Sequence, residues 1–382
     1  MKILRYVDQR YPLSEVPRRI NLLEKKDIHR ILIIKWGAMG DIANSMAVIE
    51  DIFRAFPHAL IDLNTMPAYE LMFAEDKRYQ RVFSVDLRGK ERGWKGIKRW
   101  LNLVRQGGYD VVIDLQSNDR SRFMLILMQL TGRGIRYRVG NNPGWPYNAT
   151  PPTLPVTTHG FDRFRATLTS AGIPVFTEAP VLHIPSANQQ TAANMLAEHH
   201  LQPKKYAVLA PGCHPAAYLK RWGADNYADL AAKLHATGIE KIVILGGPDE
   251  KDECQQIAEK CKAYAINLCG KTQILDIPVI VESALCIIAN DTGIAHLAAS
   301  TTTPMLVIFG PTDPRRNKPV GSRIIAIQVD IADVPCLNCY CKQPCSHHRC
   351  MKAITPEYAF AQIRQLLGID FPVQPSFQSD LF

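Results

Sequence analysis

Residues 31–56 have the sequence ILIIKWGAMGDIANSMAVIEDIFRAF, and this stretch decides the fold class. It begins with a short apolar run, Ile31 to Lys35, which ends at the closely spaced glycines Gly37 and Gly40. From Ile42 to Phe56 the apolar residues recur with helical spacing. A strand, a tight loop and a helix in this order indicate a parallel α/β sheet.

Strand and helix patterns continue to alternate along the rest of the chain. A Pro-rich passage over residues 141–155 interrupts them, and they restart beyond Ser186, where we place a domain boundary. The length of 382 residues exceeds that of one ordinary domain, which supports the division. Because ligands of such folds bind at the carboxyl ends of the strands, we expect a cleft between the two units. Further strands are expected at Leu60–Leu63, Val82–Leu87, Val111–Leu115, Tyr206–Ala210, Lys241–Leu245, Leu285–Asn290 and Met305–Phe309, and further helices at Phe161–Ala171, Ala224–Thr237, Asp249–Lys262 and Pro356–Leu367.

The composition is that of a globular protein with a basic surface. Hydrophobic residues make up 47% of the chain, and 45 Lys and Arg residues face 36 Asp and Glu residues, which gives a formal net charge of +9. The charge indicates an anionic partner, which could be nucleic acid, a membrane surface or a phosphorylated substrate. No apolar run approaches the roughly 20 residues of a membrane-spanning helix, and residues 1–30 lack the apolar core of a signal peptide. We therefore expect a cytoplasmic protein.

The loop Gly37-Ala38-Met39-Gly40-Asp41 lies between the first predicted strand and helix. Its glycines allow the backbone to approach a ligand, but the spacing is not that of the dinucleotide-binding fingerprint, which disfavours a nicotinamide dehydrogenase. A carboxylate at the mouth of a sheet is well placed to act as a general base. Asp41 could equally serve as a first-turn acid of the helix.

A second loop, Asn290-Asp291-Thr292-Gly293, follows another predicted strand and precedes a helical turn that contains His296. Its free backbone N–H groups could hold a diphosphate. A third candidate is the cation Lys220, which could neutralise charge on a leaving phosphate, or could be an exposed charge before a helix. The strand-end loops at Gly246–Glu250 and Phe309–Pro314 add to this picture, so together the loops favour a nucleotide cleft over four independent turns.

Taken together, these motifs resemble those of glycosyltransferase family nine, which contains the ADP-heptose:lipopolysaccharide heptosyltransferases. The resemblance extends over roughly residues 31–367. The motifs that carry it occur in the family's order: Ile31 to Phe56, Tyr109 to Gln116, Lys220-Arg221-Trp222, Asp291-Thr292-Gly293 with His296, and Gly310 to Pro314.

The resemblance implies an α/β protein of the GT-B fold, in which two Rossmann-like domains face each other across a cleft. Residues 1–185 would form the acceptor-binding domain, 186–355 the nucleotide-sugar-binding domain, and 356–382 a C-terminal helix and tail. The implied reaction is the inverting, metal-independent transfer of a heptose from ADP-heptose to the inner core of lipopolysaccharide. No cofactor is expected, and no nucleic acid partner.

The resemblance also implies roles for individual residues. Asp41 matches the catalytic base, and Lys220 matches the lysine that holds the donor phosphates. This sequence departs from the family where hydroxyl residues often precede that lysine, since Cys213 and His214 stand there. Donor-binding residues would be Gly40, Asp249, Asp291, Thr292, Gly293 and His296, and acceptor-binding residues would be Arg120, His159 and Arg163.

A cluster of cysteines lies between Cys336 and Cys350. Its members could supply a tetrahedral zinc site by ligand type, but their spacing is compact for paired metal knuckles. We therefore expect no metal and interpret the cluster as thiols that stabilise the turn into the last helix. The residues concerned are Cys336, Cys339, Cys341, Cys345, Cys350, His347 and His348.

Alternative functions remain open at this stage. A relative of the same family could use another donor sugar or acceptor, a nucleotide-sugar epimerase would need no acceptor, and a catalytically silent protein would bind the nucleotide sugar alone. The positive charge fits an anionic lipopolysaccharide core at the inner membrane surface, with the cations between Arg88 and Arg99 facing it. The same cations could form an ordinary solvated helix face.

Overall fold

The computed structural model describes residues 1–7, 9–132, 134–340 and 345–368. It contains two sheets flanked by helices. In chain order the strands are β1 (Ile3–Tyr6), β2 (Arg30–Ile34), β3 (Leu60–Thr65), β4 (Arg81–Ser84), β5 (Val111–Asp114), β6 (Tyr137–Gly140), β7 (Tyr206–Ala210), β8 (Lys241–Ile244), β9 (Ala265–Asn267), β10 (Cys286–Asn290), β11 (Met305–Ile308) and β12 (Ile324–Val329).

The α-helices are α1 (Met39–Ala55), α2 (Pro67–Phe73), α3 (Trp94–Gly107), α4 (Asp119–Thr131), α5 (Gly160–Ser170), α6 (Ser186–Glu198), α7 (Ala224–Ala236), α8 (Lys251–Lys260), α9 (Asp276–Ser283), α10 (Gly293–Ala298), α11 (Pro314–Asn317), α12 (Arg349–Lys352) and α13 (Pro356–Leu367). Short 3-10 helices occupy Leu13–Glu15, Leu22–Glu24, Pro215–Lys220 and Pro248–Glu250.

The first sheet has the strand order β4-β3-β2-β5-β6, and all of its strands are parallel. Its central strand β2 is apolar because helices cover both faces, as expected for a parallel sheet. Ile33 pairs in register with Leu63 on one side and with Ile113 on the other. The carboxyl end of β2 therefore lies in the middle of the sheet, where the glycine loop begins.

The second sheet has the strand order β1-β12-β11-β10-β7-β8-β9. It is parallel except for β1, which pairs antiparallel with β12 so that Ile3 lies opposite Val329. No element was predicted before Ile31, and none at the positions of β6, β9 or β12. These strands are short or lie beside turn residues, and β1 is an edge strand whose partner is more than 300 residues away.

Most of the predicted elements are found within one to three residues of their expected bounds. The expected strand at Tyr206–Ala210 and the expected helix at Pro356–Leu367 have the observed bounds of β7 and α13. The helix expected at Asp249–Lys262 is shorter, because a 3-10 turn at Pro248–Glu250 precedes α8. The prediction of an α/β protein with two parallel sheets is confirmed apart from the orientation of β1.

Helix packing connects the two sheets across the expected cleft. Helix α1, which follows β2, packs against α10, which follows β10. Helix α5 packs on α1 in the first unit, whereas α6 packs on α9 in the second, so the chain passes between the units before Ser186. Part of the expected C-terminal tail, residues 369–382, lies outside the described residues. Within the described ranges no helix has the length and hydropathy needed to cross a membrane.

Candidate functional site

The carboxyl end of β2 forms one wall of the cleft. Asp41 lies in the first turn of α1 and is exposed, while the ammonium group of Lys35 is buried behind it. A Cβ on Gly37 would lie 3.0 Å from both Asp41 Oδ2 and Lys35 Nζ, so the two charged groups flank this glycine. Burial lowers the pKa of Lys35, and the carboxylates of Asp41 and Asp114 counteract part of that shift.

The opposite wall is organised around Asp291, which follows β10 and is buried. Its Oδ2 atom accepts hydrogen bonds from Lys220 Nζ and Thr312 Oγ1, both at 2.7 Å. Its Oδ1 atom lies 3.9 Å from His296 Nε2. Burial would raise the pKa of this carboxyl group, but the contacts with His296 and Lys220 outweigh burial and lower the pKa to about 2. Asp291 is therefore an anion that fixes the position of the Lys220 ammonium.

The departure at Cys213 and His214 has a structural basis. The Cys213 thiol is buried and donates to the carbonyl oxygen of Ala217 at 3.0 Å, and burial raises its pKa to about 11. His214 Nδ1 accepts from the N–H of Ala216 at 3.2 Å and caps the 3-10 helix that ends at Lys220. These two side chains shape the loop that carries Lys220 to the cleft.

His296 joins the two walls. Its Nδ1 atom makes a 3.3 Å hydrogen bond with Asn44 Oδ1 on α1. Its ring also packs on Gly40, where an added Cβ would lie 2.7 Å from His296 Cδ2. A Cβ on Gly293 would lie 2.9 Å from Met39 Cβ, so the starts of α1 and α10 interlock at two glycines. This close approach requires glycine at both positions.

These side chains line one cleft between the two units, with a volume of about 370 Å³. It brings together the predicted residues Gly40, Asp41, Lys220, Asp291, Thr292, Gly293 and His296. Four polar lining residues were not identified from the sequence, namely Asn44, Tyr69, Arg316 and Asn317. Lys35, which lies behind Asp41, was also missed. As a cation that directly follows an apolar strand, Lys35 could have been identified from its position in the motif.

Asp249 does not line this cleft. It is exposed on the 3-10 turn after β8, whereas the neighbouring Glu250 is buried. Glu250 Oε2 accepts from the N–H of Gly247 at 2.6 Å, and its side chain fills the space beside Gly212. Burial raises the pKa of Glu250.

Of the three candidate acceptor residues, Arg120 lies on α4, whereas His159 and Arg163 lie one turn apart at the start of α5. Arg120 is exposed at the start of α4 and lines a second pocket of about 250 Å³, called here the Arg120 pocket. Tyr69 lines the cleft and has both Asp41 and Arg88 near its hydroxyl group, so it lies between the cleft and this pocket. The Arg120 pocket is lined by Trp36, Met66, Pro67, Val85, Asp86, Leu87, Arg88, Asn118, Asp119 and Arg120.

His159 is buried at the N-cap of α5, and both of its ring nitrogens have partners. Nδ1 accepts from the N–H of Phe161 at 3.1 Å, and Nε2 lies 2.7 Å from the carbonyl oxygen of Lys318 in the second unit. Burial lowers the pKa of His159 to about 4. Arg163 donates to the carbonyl oxygens of Pro155, at 2.6 Å, and Thr158, at 3.3 Å. In this conformation both side chains therefore hold neighbouring backbone in place.

The cysteine cluster lies on the surface beside α12. Cys336 Sγ and Cys345 Sγ approach the two ring nitrogens of His347 at 3.8 and 3.7 Å, while Cys350 is buried. His348 Nε2 lies 2.5 Å from the carbonyl oxygen of Leu219, and this contact helps to fix the position of the residue before Lys220. Among the described residues no three potential ligands are grouped as a metal site would require. Cys341 lies outside those residues.

Comparison with known proteins identifies the family. The sequence profile of Glycosyltransferase family 9 (heptosyltransferase) matches residues 97–347, about two thirds of the chain. Lipooligosaccharide heptosyltransferase 2 of Campylobacter jejuni is 33% identical over 169 residues, which are 43% of this chain and 51% of that protein. The chain thus spans about half the length of this curated relative.

Two other comparisons extend over most of the chain. Lipopolysaccharide heptosyltransferase 1 of Pseudomonas aeruginosa is 22% identical over 375 residues, which are 88% of this chain and 98% of that protein. The crystal structure of a family 9 glycosyl transferase from Veillonella parvula superposes with a TM-score of 0.74 at 20% identity and covers 89% of this chain and 97% of that one. The fold is therefore GT-B, and the protein is a member of glycosyltransferase family 9 (heptosyltransferase).

Proposed function

We propose that this protein is an inverting glycosyltransferase that moves a heptose from ADP-heptose to the inner core of lipopolysaccharide. One observation carries the proposal: an exposed carboxylate, Asp41, faces a fixed cation, Lys220, across a single cleft at the carboxyl ends of both sheets. An acid-base group opposite a phosphate-neutralising group is the arrangement that sugar transfer from a nucleotide donor requires.

Asp41 acts as the general base in this proposal. It accepts the proton of an acceptor hydroxyl as that oxygen attacks the anomeric carbon of the donor. The oxygen forms the new glycosidic bond, and the bond from the anomeric carbon to the diphosphate breaks. The buried amine of Lys35 lies beside the Asp41 carboxyl group, on the other side of Gly37.

Lys220 and the backbone N–H groups of Thr292 and Gly293 stabilise the departing diphosphate. One of the three ammonium donors of Lys220 is directed to Asp291, which keeps the group in place before the donor binds. Donors that are fixed in advance need little reorganisation when charge develops, and each can contribute about 3 kcal/mol to catalysis. Asp249, which lies outside the cleft lining, remains our assignment for the ribose contact. In this proposal no metal or other cofactor takes part.

The acceptor reaches Asp41 from the Arg120 pocket. Arg120 and Arg88 line this pocket together with Asp86 and Asp119, and the two guanidinium groups would bind the phosphates of a core saccharide. Arg163 and His159 act on the acceptor through the backbone that they hold. We place residues 1–185 in the acceptor domain, apart from β1, which belongs to the second sheet, and residues 186–355 in the donor domain. The protein would act in the cytoplasm at the inner face of the inner membrane.

The proposal is tested by the release of ADP from ADP-heptose with purified protein, combined with mass spectrometry of the lipopolysaccharide core from a strain that lacks the gene. We expect ADP release that depends on acceptor and a core shortened by one heptose. ADP-heptose turnover without acceptor would instead favour an epimerase or hydrolase. Donor binding without any turnover would favour a silent binding protein.

A further inference from the structure

The loop over residues 211–220, which follows β7 and ends at Lys220, contains neither serine nor threonine. Its one side-chain hydroxyl group belongs to Tyr218, which is 59% exposed and does not line the cleft. The side chains that this loop offers to a bound molecule are therefore those of its cleft-lining residues. These are Cys213, His214, Ala217 and Lys220.

Two of these four side chains have nothing to donate to a ligand. The Cys213 thiol is buried, and it already donates to the carbonyl oxygen of Ala217 at 3.0 Å. Ala217 itself has no polar side-chain group. His214 and Lys220 are thus the two cleft-lining residues of this loop whose side chains have N–H groups directed at a ligand.

The imidazole ring of His214 is held in one orientation. Its Nδ1 atom accepts a 3.2 Å hydrogen bond from the N–H of Ala216, at the N-cap of the 3-10 helix. A ring nitrogen that accepts a hydrogen bond carries no proton, so the neutral ring carries its proton on Nε2. The two nitrogens point away from each other, and no described residue accepts a hydrogen bond from Nε2. His214 therefore presents a fixed and unused N–H donor in the cleft.

The surroundings of this donor indicate what it binds. It shares its wall of the cleft with the Lys220 ammonium and with the loop at Thr292. The acid on this wall, Asp291, is already bonded to Lys220 and to Thr312. A sugar hydroxyl needs acceptors as well as donors, whereas phosphate oxygens only accept. A wall that offers mainly donors therefore fits phosphate, and hydrogen bonds to charged phosphate oxygens are among the strong ones.

We propose that His214 is a further donor-binding residue, and that its Nε2–H group donates to the diphosphate of the nucleotide sugar beside Lys220. The bond from Ala216 to Nδ1 fixes the tautomer and the direction of the ring. Little freedom is then lost when the nucleotide binds. The inference deepens the proposed function and rests on it, because it adds a residue to the same donor site.

Two amide variants of the full chain separate the two ring nitrogens. His214→Asn keeps an acceptor near the position of Nδ1 but has no group at Nε2, whereas His214→Gln places an N–H donor near Nε2 and loses the cap. We expect His214→Asn to unfold at the same temperature as the unmodified protein and to bind ADP about tenfold or more weakly in calorimetric titration. His214→Gln should unfold at a lower temperature but retain most of the affinity for ADP.

The matched control is His58→Asn, because His58 is exposed on the turn between α1 and β3 and lies outside the cleft. We expect this variant to bind ADP like the unmodified protein. Unchanged affinity for ADP in His214→Asn would overturn the inference. An equal loss in His214→Asn and His214→Gln would also overturn it, because the shape of the loop and not the Nε2 donor would then decide binding.

Other nucleotides locate the contact and separate this inference from the proposed function. Adenosine lacks the phosphates, so its inhibition constant against a fluorescent ADP analogue should be the same in His214→Asn and in the unmodified protein. A loss for adenosine as large as that for ADP would place the contact on the nucleoside and refute the diphosphate assignment. If UDP or GDP binds in place of ADP with the same pattern in the variants, the His214 contact stands and the ADP-heptose donor fails. Binding of none of the three would overturn both.

Discussion

The imidazole ring of His296 lies directly on Gly40, and a Cβ at residue 40 would come within 2.7 Å of its Cδ2 atom. This contact joins the helix that carries Asp41 to the loop that carries Asp291. The relative positions of the proposed base and of the donor loop therefore depend on the absence of one side chain.

We expect Gly40→Ala to destabilise the protein by about 1–3 kcal/mol and to lower turnover, because His296 must move away. Thermal unfolding and ADP release measure the two effects. The control is Gly160→Ala, where the nearest atom to the added Cβ is 3.9 Å away. The double variant Gly40→Ala/His296→Ala should regain stability, and simple additivity of the two losses would contradict the packing explanation.

We expect Asp41→Asn to lower kcat by about 10²- to 10⁴-fold while the affinity for ADP stays the same. Asp252→Asn is the matched control, because Asp252 is an exposed first-turn acid of α8 and lies outside the cleft. Single-turnover kinetics and calorimetric titration with ADP separate chemistry from binding. Equal activity in both variants would mean that Asp41 only stabilises the N-terminus of α1 and takes no part in catalysis.

We expect Lys220→Ala to weaken ADP binding and also to destabilise the fold, since it leaves the buried Asp291 carboxylate without its cation. The loss of stability should be about 3–5 kcal/mol. Lys220→Ala/Asp291→Asn should recover most of this stability, as measured by urea unfolding, but not the affinity for ADP. Recovery of both properties would show that Lys220 acts only as the partner of Asp291.

The buried His159 predicts a pH dependence of stability. Its pKa is lowered from 6.5 to about 4, so below pH 6.5 the unfolded state binds a proton that the folded state does not. The stability contributed by the neutral ring is complete above pH 6.5 and decreases as the pH falls towards 4.

Between pH 7 and pH 5 this decrease should be about 2 kcal/mol. His159→Asn keeps an N-cap acceptor for Phe161 but has no proton to bind. We therefore expect urea unfolding of His159→Asn to lack this part of the pH dependence. Parallel curves for the two proteins over this range would contradict the assignment.

Local sequence patterns predicted most of the fold because its central strands are apolar runs bounded by glycine or proline. They predicted the cleft for a related reason: Asp41 and Asp291 each follow such a strand, and parallel strands end at the same edge. Lys35 directly follows β2 and was missed because it was counted as the last residue of the apolar run. His296 and Gly40, which pack on each other, are about 250 positions apart in the sequence. A local sequence pattern cannot predict a contact between residues so far apart.

Residue placement also limits what a motif can reveal. Asp249 and Glu250 are adjacent in sequence, yet one is exposed and the other is buried beside Gly212. His159 was selected for a ligand role, whereas its ring nitrogens meet backbone groups of both units. Which of two neighbouring polar residues turns inward is decided by tertiary packing.

The pairing of β1 with β12 sets an order of assembly during synthesis. Strand β12 leaves the ribosome more than 300 residues after β1, and until then the second sheet lacks one of its strands. The residues of β12 are all buried in the folded protein, but one edge of this strand stays unpaired until β1 binds to it. An unpaired strand edge can pair with other chains and so promotes aggregation. A deletion of residues 1–6 should therefore lower the solubility of the protein, because it leaves the edge of β12, near the other end of the chain, without its partner strand.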